Sequence, residues 1–328
     1  MNAIKGNFVA LTGGVGGAKL VLGLSRILDD SQLTAIVNTG DDFWHLSLPI
    51  CPDLDTLMYT LAGEVNPETG WGYRDETWEY MQALERHGAA TWFRIGDQDL
   101  ATHLLRKQLL RKHSTLTEVT QTLCSQLSIQ IQILPMSDKP VRTQVVTDQG
   151  RLNFQHYFVR ERAEPVVREI EFSGAENATL TPAILAALSD PDLAAIIIAP
   201  SNPYLSIDPI LAVPGMRAAL HAATAPIVAI SPIVGGAAIK GPTAKIMNEL
   251  GTKPSSAAVS QHYADLLDGF IVDECDREMV SEVEKPGLSV GIYDTIMQSL
   301  EDKIRLARET LEFARSIDSG HAEQTIQK

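Results

Sequence analysis

Four aspartates lie close together early in the chain, in two pairs. Asp41 and Asp42 directly follow an apolar run, and Asp53 and Asp55 come a few residues later. Mg²⁺ prefers carboxylate oxygens, usually one or two carboxylates per ion, with substrate phosphates completing its shell. We therefore predict that the four aspartates supply the ligands of a Mg²⁺ ion, and that Asp41, Asp42 and Asp55 are catalytic. Their spacing does not say which of them contact the ion. In the structural alternative they end a strand and cap a helix.

A glycine-rich segment, Gly13-Gly-Val-Gly-Gly-Ala-Lys19, precedes the aspartates. It follows a run typical of a buried strand, residues 8–12, and opens a helical pattern. In that position backbone N–H groups and the positive end of the helix dipole can hold an anion. We predict that five residues of this segment bind the phosphates of a nucleotide: Gly13, Gly14, Gly16, Gly17 and Lys19.

The segment differs from two familiar phosphate-binding motifs. A Walker loop needs Lys directly after Gly and then Ser or Thr, but Ala18 and Leu20 flank Lys19. A dinucleotide fingerprint that starts at Gly14 needs its third glycine where Lys19 stands, which disfavours an NAD-dependent oxidoreductase. The alternative interpretation is a tight turn that lets the strand and the helix pack closely.

Two more polar loops follow apolar, strand-like runs. The first contains Ser201 and Asn202 and follows residues 195–199, and the second, which includes Lys240, follows residues 227–230. Turns of any function use similar residues. Three such loops at one sheet edge nevertheless predict a long ligand, so we add Ser201, Asn202 and Lys240 to the residues that bind nucleotide or phosphate.

The region between these motifs offers fewer candidates. Arg94 is a candidate partner for an anion or a flat ring, and Asp99 has the position of a helix N-cap. His103 could face the site, although a lone histidine on a helix is more often packed or at the surface. Most tryptophans are core residues, but a flat ligand would need some of them at the mouth of the site. The four tryptophans all lie in the first third of the chain: Trp44, Trp71, Trp78 and Trp92.

The elements around these motifs predict an α/β fold with a Rossmann-like, mostly parallel sheet and helices on both faces. The chain opens with the pattern of a βαβ unit, and the strand–helix alternation returns near residue 193. Residues 63–127 carry helical patterns and predict a helical insertion. Residues 128–172 alternate as strands do and predict an antiparallel β segment with a hairpin turn at Asp148-Gln149-Gly150. We predict a single domain over residues 1–328.

Composition excludes several classes of partner. The formal charge is −14, from 41 acidic and 27 basic residues, so the surface does not suit nucleic acid or an anionic membrane. The N-terminus has no signal-peptide pattern, and the apolar stretches are too short to span a bilayer. The three cysteines show no ligand pattern, which favours a reducing compartment. We expect a cytoplasmic homodimer without covalent catalysis, since no nucleophile motif is present.

Six segments, in order, resemble motifs of the 2-phospho-L-lactate transferase family, which acts in the biosynthesis of coenzyme F-420. Together they extend from about residue 7 to the region after Gly269, and the ordered set is specific although no single motif is. The segments are Gly13-Gly-Val-Gly-Gly-Ala-Lys19, Asn38-Thr-Gly-Asp-Asp42, Pro52-Asp-Leu-Asp-Thr-Leu-Met-Tyr59, the Gly-Asp-x-Asp run 96–103, Ser201-Asn-Pro203 and Lys240-Gly-Pro242.

The resemblance implies a Mg²⁺-assisted transfer reaction. The family's donor is a guanosine diphosphate conjugate of phospholactate, phosphoenolpyruvate or phosphoglycerate, and its acceptor is 7,8-didemethyl-8-hydroxy-5-deazariboflavin (Fo). A ribityl hydroxyl of Fo attacks the phosphoryl group next to the acid, and GMP leaves. By carry-over, Asp55 and Arg94 would contact Fo. The sequence does not indicate which acid the donor carries. We also expect Asp55 to be an exposed carboxylate that contributes little to stability.

A binding protein is the alternative to a transferase. A related group of nucleotide-sugar-binding regulators shares a similar glycine loop and Asn-Thr-Gly-Asp-Asp segment without this transfer. Those proteins tend to follow the aspartates with glycine and serine, whereas Phe43-Trp-His-Leu46 follows them here. This difference favours the transferase.

Overall fold

The structure, a computed structural model, describes residues 4–112, 114–239 and 241–326, with side chains described as far as residue 317. The strands in these residues are β1 (Asn7–Thr12), β2 (Leu33–Val37), β3 (Phe43–His45), β4 (Leu48–Ile50), β5 (Gln132–Pro135), β6 (Arg142–Thr147), β7 (Gly150–Asn153), β8 (Val167–Ser173), β9 (Leu193–Ile198), β10 (Ile227–Ile230), β11 (Ile233–Val234), β12 (Ala237–Ala238), β13 (Gly269–Asp273) and β14 (Ser289–Tyr293).

The α-helices of the described residues connect these strands. They are α1 (Gly14–Ser25), α2 (Pro52–Ala62), α3 (Glu79–Arg86), α4 (Asp97–Leu110), α5 (Leu116–Gln126), α6 (Pro182–Leu188), α7 (Asp208–Leu211), α8 (Met216–Ala222), α9 (Thr243–Glu249), α10 (Ser256–His262), α11 (Val280–Val283) and α12 (Leu300–Ile326). Short π-helical turns lie at His156–Arg160 and Pro203–Ile207.

The central sheet of the described chain has seven parallel strands in the order β14-β13-β10-β9-β1-β2-β5. From β1 the chain builds outwards through β2 to β5, and β9 then returns to the other side of β1. The loops after β1 and β9 therefore diverge and open a crevice at the carboxyl ends of the strands. In open α/β sheets this switch point is where ligands bind.

Both faces of the sheet are covered by helices, as the fold prediction requires. Alternate side chains of β1 point to opposite sides, so Phe8 and Ala10 lie in one apolar core while Val9 and Leu11 lie in the other. Helices α1, α2, α5 and α12 contribute to the first core, and α6, α8 and α10 contribute to the second. The predicted α/β class with a mostly parallel sheet is confirmed.

The antiparallel part of the fold is smaller than the sequence predicts. Strands β6, β7 and β8 form a three-stranded antiparallel sheet, and the hairpin between β6 and β7 turns at Asp148 and Gln149 as predicted. Strand β5 falls within residues 128–172 but pairs in parallel with β2, because so short a run does not reveal its pairing partner. The boundaries 63–127 and 128–172 and the single domain stay predictions.

Within the part of the chain that the structure describes, no helix has both the length and the apolar character needed to cross a membrane.

Candidate functional site

A large cavity of about 630 Å³ opens at the crevice beside β1. Its volume lies within the range of roughly 300–1,000 Å³ that is usual for ligand sites. It is lined by residues from the loops after β1, β2, β9, β10 and β14 and from the regions before α4 and after β7. Helices α2 and α4 contribute further lining residues. Most of the predicted site residues line it: Gly13, Gly14, Gly16, Lys19, Asp41, Asp53, Asp55, Arg94, Ser201 and Asn202. Gly17 and Asp42 are absent from the described lining, and Lys240 lies outside the described residues.

The glycine loop combines close packing with exposed amides. Gly14 has φ +66°, a conformation that glycine adopts without strain, and its N–H donates to Asp53 Oδ1 at 2.9 Å. A Cβ atom on Gly16 would lie 2.5 Å from the Pro200 carbonyl oxygen, so this position must stay small. Val15 and Gly16 line the cavity in the first turn of α1, where N–H groups have no acceptor within the helix. These amides can bind an anion.

Two buried carboxylates, Asp41 and Asp53, reach the cavity. The Oδ2 atom of Asp53 accepts a hydrogen bond of 2.9 Å from Asn38 Nδ2. Burial raises the pKa of Asp53 to about 6. Burial and the charge of Asp53 raise the pKa of Asp41 well above its ordinary value. Asp41 Oδ1 is buried and has no hydrogen-bond partner among the described residues. Two neighbouring carboxylates make each other's ionised form less favourable, and a bound cation relieves this repulsion.

Asp42 lies behind this pair. Burial raises its pKa to about 7, although the charge of Arg142 and a hydrogen bond with Cys51 act in the opposite direction. Its Oδ1 atom also has no partner in the described chain. The structure thus gathers the first aspartate pair at the site but turns only Asp41 to the cavity. Whether Asp42 is a metal ligand or catalytic stays a prediction.

Asp55 is buried and paired, which makes the expectation of an exposed carboxylate wrong. It is 5% exposed, and both of its oxygens accept hydrogen bonds from the guanidinium of Arg106 on α4. Burial raises its pKa, and Arg106 opposes this rise. The sequence offers no long-range contact information, so the partner of Asp55, 51 residues away, could not be predicted.

Asp99 and His103 lie next to this ion pair, on α4. The predicted N-cap role of Asp99 is wrong, because α4 is capped at Gly96 and Glu76 accepts from the N–H of Asp99. The carboxylate of Asp99 instead accepts a 2.6 Å hydrogen bond from Tyr59 and lies 3.2 Å from Nε2 of His103. Burial opposes ionisation of Asp99, but these partners hold its pKa below the ordinary value.

The buried residues Asp55 and His103 and the half-buried Asp99 have ligand atoms close enough to hold a metal ion. The guanidinium of Arg106, however, bonds to Asp55 and lies 3.2 Å from Nδ1 of His103. A cation held by all three groups would lie close to this positive charge and be repelled by it. The donor set of Asp41 and Asp53 fits Mg²⁺ better, since both carboxylates line the cavity and no guanidinium of the described residues bonds to them.

Arg94 lies at the mouth of the cavity among aromatic rings. Its guanidinium carbon is 3.9 Å from the ring centre of Trp78, a cation–π contact that fixes the plane of the group. Trp71, 52% exposed, also lines the cavity, whereas Trp44 is 62% exposed and does not. Trp78 and Trp92 pack against a small cluster around Ile95. Among the tryptophans, the structure therefore places only Trp71 in the described lining of the cavity.

Ser201, Asn202 and Lys19 line the cavity, but each also stabilises the fold. The Ser201 hydroxyl donates to the Gly13 carbonyl at 2.7 Å and so joins the loops after β9 and β1. The Asn202 side-chain oxygen accepts from two backbone N–H groups of the following turn. Lys19 Nζ donates to the Met297 carbonyl at 2.7 Å. Their predicted contacts with nucleotide stay predictions.

Several lining residues were not predicted from the sequence. The loop after β14 contributes four consecutive residues, 295–298, and the antiparallel region contributes the stacked rings of Phe154 and Phe158, whose centres are 5.4 Å apart. Residues 295–298 precede α12, which begins at Leu300. Arg106 does not line the cavity but pairs with Asp55, and it had a usable sequence signal, since it lies one and two helical turns after His103 and Asp99.

Comparison with known proteins agrees with this site. Residues 8–310 match the family described as 2-phospho-L-lactate transferase CofD. The chain belongs to this family. A protein from Streptomyces griseus named phosphoenolpyruvate transferase is 41% identical over 315 residues, which cover 94% of this chain and 98% of the relative. A protein of the same name from Kitasatospora aureofaciens is 41% identical over 319 residues, covering 95% and 99%. The CofD-family chain is a transferase of coenzyme F-420 biosynthesis.

The fold has also been seen in a solved structure. The chain superposes on a crystal structure of a UPF0052-family protein from Bacillus halodurans with a TM-score of 0.64, covering 94% of this chain and 99% of the other. The two sequences are 15% identical, so the similarity concerns the fold alone. It supports the Rossmann-like class and leaves the chemistry to the site residues.

Proposed function

We propose that this CofD-family transferase moves enolpyruvyl phosphate from its guanosine diphosphate conjugate to Fo and releases GMP. The observation that carries the proposal is the make-up of one cavity. It combines amides of the glycine loop and the buried Asp41 and Asp53 carboxylates, of which Asp41 Oδ1 has no partner in the described structure, with an exposed guanidinium among aromatic rings. The first part suits a diphosphate with its cation, and the second suits a flat, electron-rich ring.

The names of the similar proteins indicate which acid we propose for the donor. The sequence leaves phospholactate, phosphoenolpyruvate and phosphoglycerate open, but the similar proteins from Streptomyces and Kitasatospora are named phosphoenolpyruvate transferases. At about 41% identity over nearly the whole length, the shared residues favour the same donor here.

A Mg²⁺ ion would be held by Asp41 and Asp53, with Asp42 behind them. When bound, Mg²⁺ supplies charge neutralisation for the diphosphate and for the leaving GMP. The amides of Val15 and Gly16 would bind phosphate oxygens from the other side. Phosphoryl transfer asks a protein mainly for such positioning and charge stabilisation.

The acceptor would enter from the aromatic mouth. Arg94 would bind the hydroxyl-bearing ring system or the ribityl chain of Fo, and Asp55 would accept a hydrogen bond from the ribityl hydroxyl. That oxygen bonds to the phosphorus next to the acid, and the bond from this phosphorus to the bridging oxygen breaks. The bridging oxygen leaves with GMP, and the hydroxyl proton is released.

The test uses pure protein, Fo, Mg²⁺ and each of the three guanosine donors, with the product identified by mass spectrometry. We expect the dehydro product from the phosphoenolpyruvate conjugate, and no turnover without a divalent cation. Faster turnover of another conjugate would replace the donor assignment. Absence of Fo binding would instead favour a nucleotide-binding regulator. The predicted homodimer and cytoplasmic location are part of this proposal and are tested by light scattering and cell fractionation.

A further inference from the structure

Arg106 is a charged side chain in an unusual place. It is 1% exposed and heads the largest fully buried side chains of the described chain. It lies on α4, in the region that covers the cavity, but does not line the cavity itself. Burying a guanidinium is costly unless charged and polar partners surround it. Its partners therefore indicate why it is there.

The guanidinium of Arg106 bonds mainly to one residue. Nη1 donates to Asp55 Oδ2 at 3.1 Å, and Nη2 donates to Asp55 Oδ1. Nη1 also lies 3.4 Å from the Pro49 carbonyl and 3.2 Å from His103 Nδ1. Two parallel hydrogen bonds between a guanidinium and a carboxylate fix the plane of both groups. The orientation of Asp55 at the cavity wall is thus set by a residue on a different element.

The same pairing changes what Asp55 can bind. Each of its oxygens already accepts a strong hydrogen bond, and the charges of the pair cancel. Asp41 and Asp53 accept no hydrogen bond from a cationic side chain of the described residues, so no guanidinium or ammonium group occupies the place of a bound cation. A cation close to Asp55 would be repelled by Arg106, whereas a neutral hydroxyl donor would not.

We infer that Arg106 is a positioning residue that orients Asp55 to accept a hydrogen bond from the acceptor's hydroxyl and keeps Asp55 out of the metal site. The inference rests on the proposed function and deepens it. It divides the four aspartates of the sequence motifs into a cation-binding pair at the glycine loop and a separate acceptor-binding group on α2.

The first experiment measures binding of Mn²⁺ alone to the full chain, by calorimetry and by electron paramagnetic resonance. Asp41→Asn and Asp53→Asn should weaken Mn²⁺ binding by at least about 10-fold, since even outer partners of metal sites are worth that much. Asp55→Asn should leave the affinity within about threefold, since it is not a ligand. Because Asp55→Asn leaves Arg106 without its partner, the double variant Asp55→Asn/Arg106→Gln repeats the measurement with both charges removed.

The second experiment uses Arg106→Lys, which keeps the charge but loses the two parallel hydrogen bonds of the guanidinium. The control is Arg111→Lys at the exposed residue that directly follows α4. Loss of one charge-assisted hydrogen bond should weaken Fo binding by about 10-fold, measured by fluorescence. Mn²⁺ binding should be unchanged or tighter, because Asp55 is less firmly held. The KM for Fo should rise while the KM for the donor stays the same.

Two results would overturn the inference. One is loss of Mn²⁺ binding in both variants that lack the Asp55 carboxylate, which would make Asp55 a metal ligand. The other is an equal loss of Fo and Mn²⁺ binding in Arg106→Lys, as expected of a residue that only stabilises the fold. Failure of the proposed function has a different signature, because the wild-type protein would then bind neither Mn²⁺ nor Fo.

Discussion

The two sides of the cavity treat their carboxylates in opposite ways. On the glycine-loop side, Asp41 and Asp53 are buried together, the charge of Asp53 adds to burial in raising the pKa of Asp41, and Asp41 Oδ1 has no partner in the described structure. On the α4 side, Asp55 is equally buried but is fully paired with Arg106. The first arrangement is costly without a cation, and the second is complete without one. Two similar Asp motifs can therefore have different chemical roles.

Removing a carboxylate from the glycine-loop side should have the largest effect. Asp53→Asn or Asp41→Asn should lower kcat/KM by at least about 1,000-fold at saturating Mg²⁺, because charge stabilisation by a metal is worth several kcal/mol. Steady-state kinetics with Fo and donor measure this. Asp265→Asn, which removes an exposed carboxylate outside the cavity, is the control and should behave like the wild type. Near-normal kcat/KM in both site variants would separate these aspartates from the metal.

Breaking the ion pair on the α4 side should mainly affect stability. Asp55→Asn leaves the Arg106 charge buried without its partner, and we expect a loss of about 3 kcal/mol in the free energy of unfolding. Urea denaturation followed by circular dichroism measures this. The double variant Asp55→Asn/Arg106→Gln should recover part of the loss while acceptor binding stays weak. An Asp55→Asn variant as stable as wild type would show that the pair contributes little.

Removing the positive charge of Arg94 at the mouth of the cavity should weaken the binding of Fo and not that of the donor. Arg94→Ala should weaken Fo binding by about 10- to 100-fold, which corresponds to roughly 1.5–3 kcal/mol for a charge-assisted hydrogen bond. Donor binding should be unchanged, because the donor contacts the glycine-loop side. Fluorescence titration with Fo and calorimetry with donor separate the two. Arg74→Ala, an exposed arginine outside the cavity, serves as the control. Equal weakening of both ligands would contradict the division of the cavity.

The smallest predicted effect is a pH-dependent stabilisation by Mg²⁺. Burial raises the pKa of Asp53 to about 6 and that of Asp42 to about 7, so the folded protein binds more protons than the unfolded chain between about pH 4 and 7. Stability without metal should therefore fall as pH rises through this window. Mg²⁺ binds the ionised carboxylates, so its stabilisation should grow with pH, to about 3 °C or more in Tm at pH 8. An equal Mg²⁺ shift at pH 5 and pH 8 would argue against Asp53 as a ligand.

The sequence by itself was sufficient for the local features of the site. The glycine loop after β1, the start of α2 at Pro52 and the hairpin after β6 depend on residue types within a few positions of one another. Such signals act through backbone conformation and helix ends, which short segments determine without help from the rest of the chain. The family resemblance followed from the same local motifs, and the match over residues 8–310 confirms it.

The tertiary structure decided which aspartates pair with a cationic side chain and which do not. The sequence shows four nearby aspartates with no difference between them, because the energy of a carboxylate depends on burial and on partners that are distant in the chain. Arg106 reaches Asp55 because the fold brings side chains of α4 to α2, and Asp41 Oδ1 has no hydrogen-bond partner among the described residues. Long-range packing sets these electrostatic energies, so the motif alone could name the aspartates but not assign their roles.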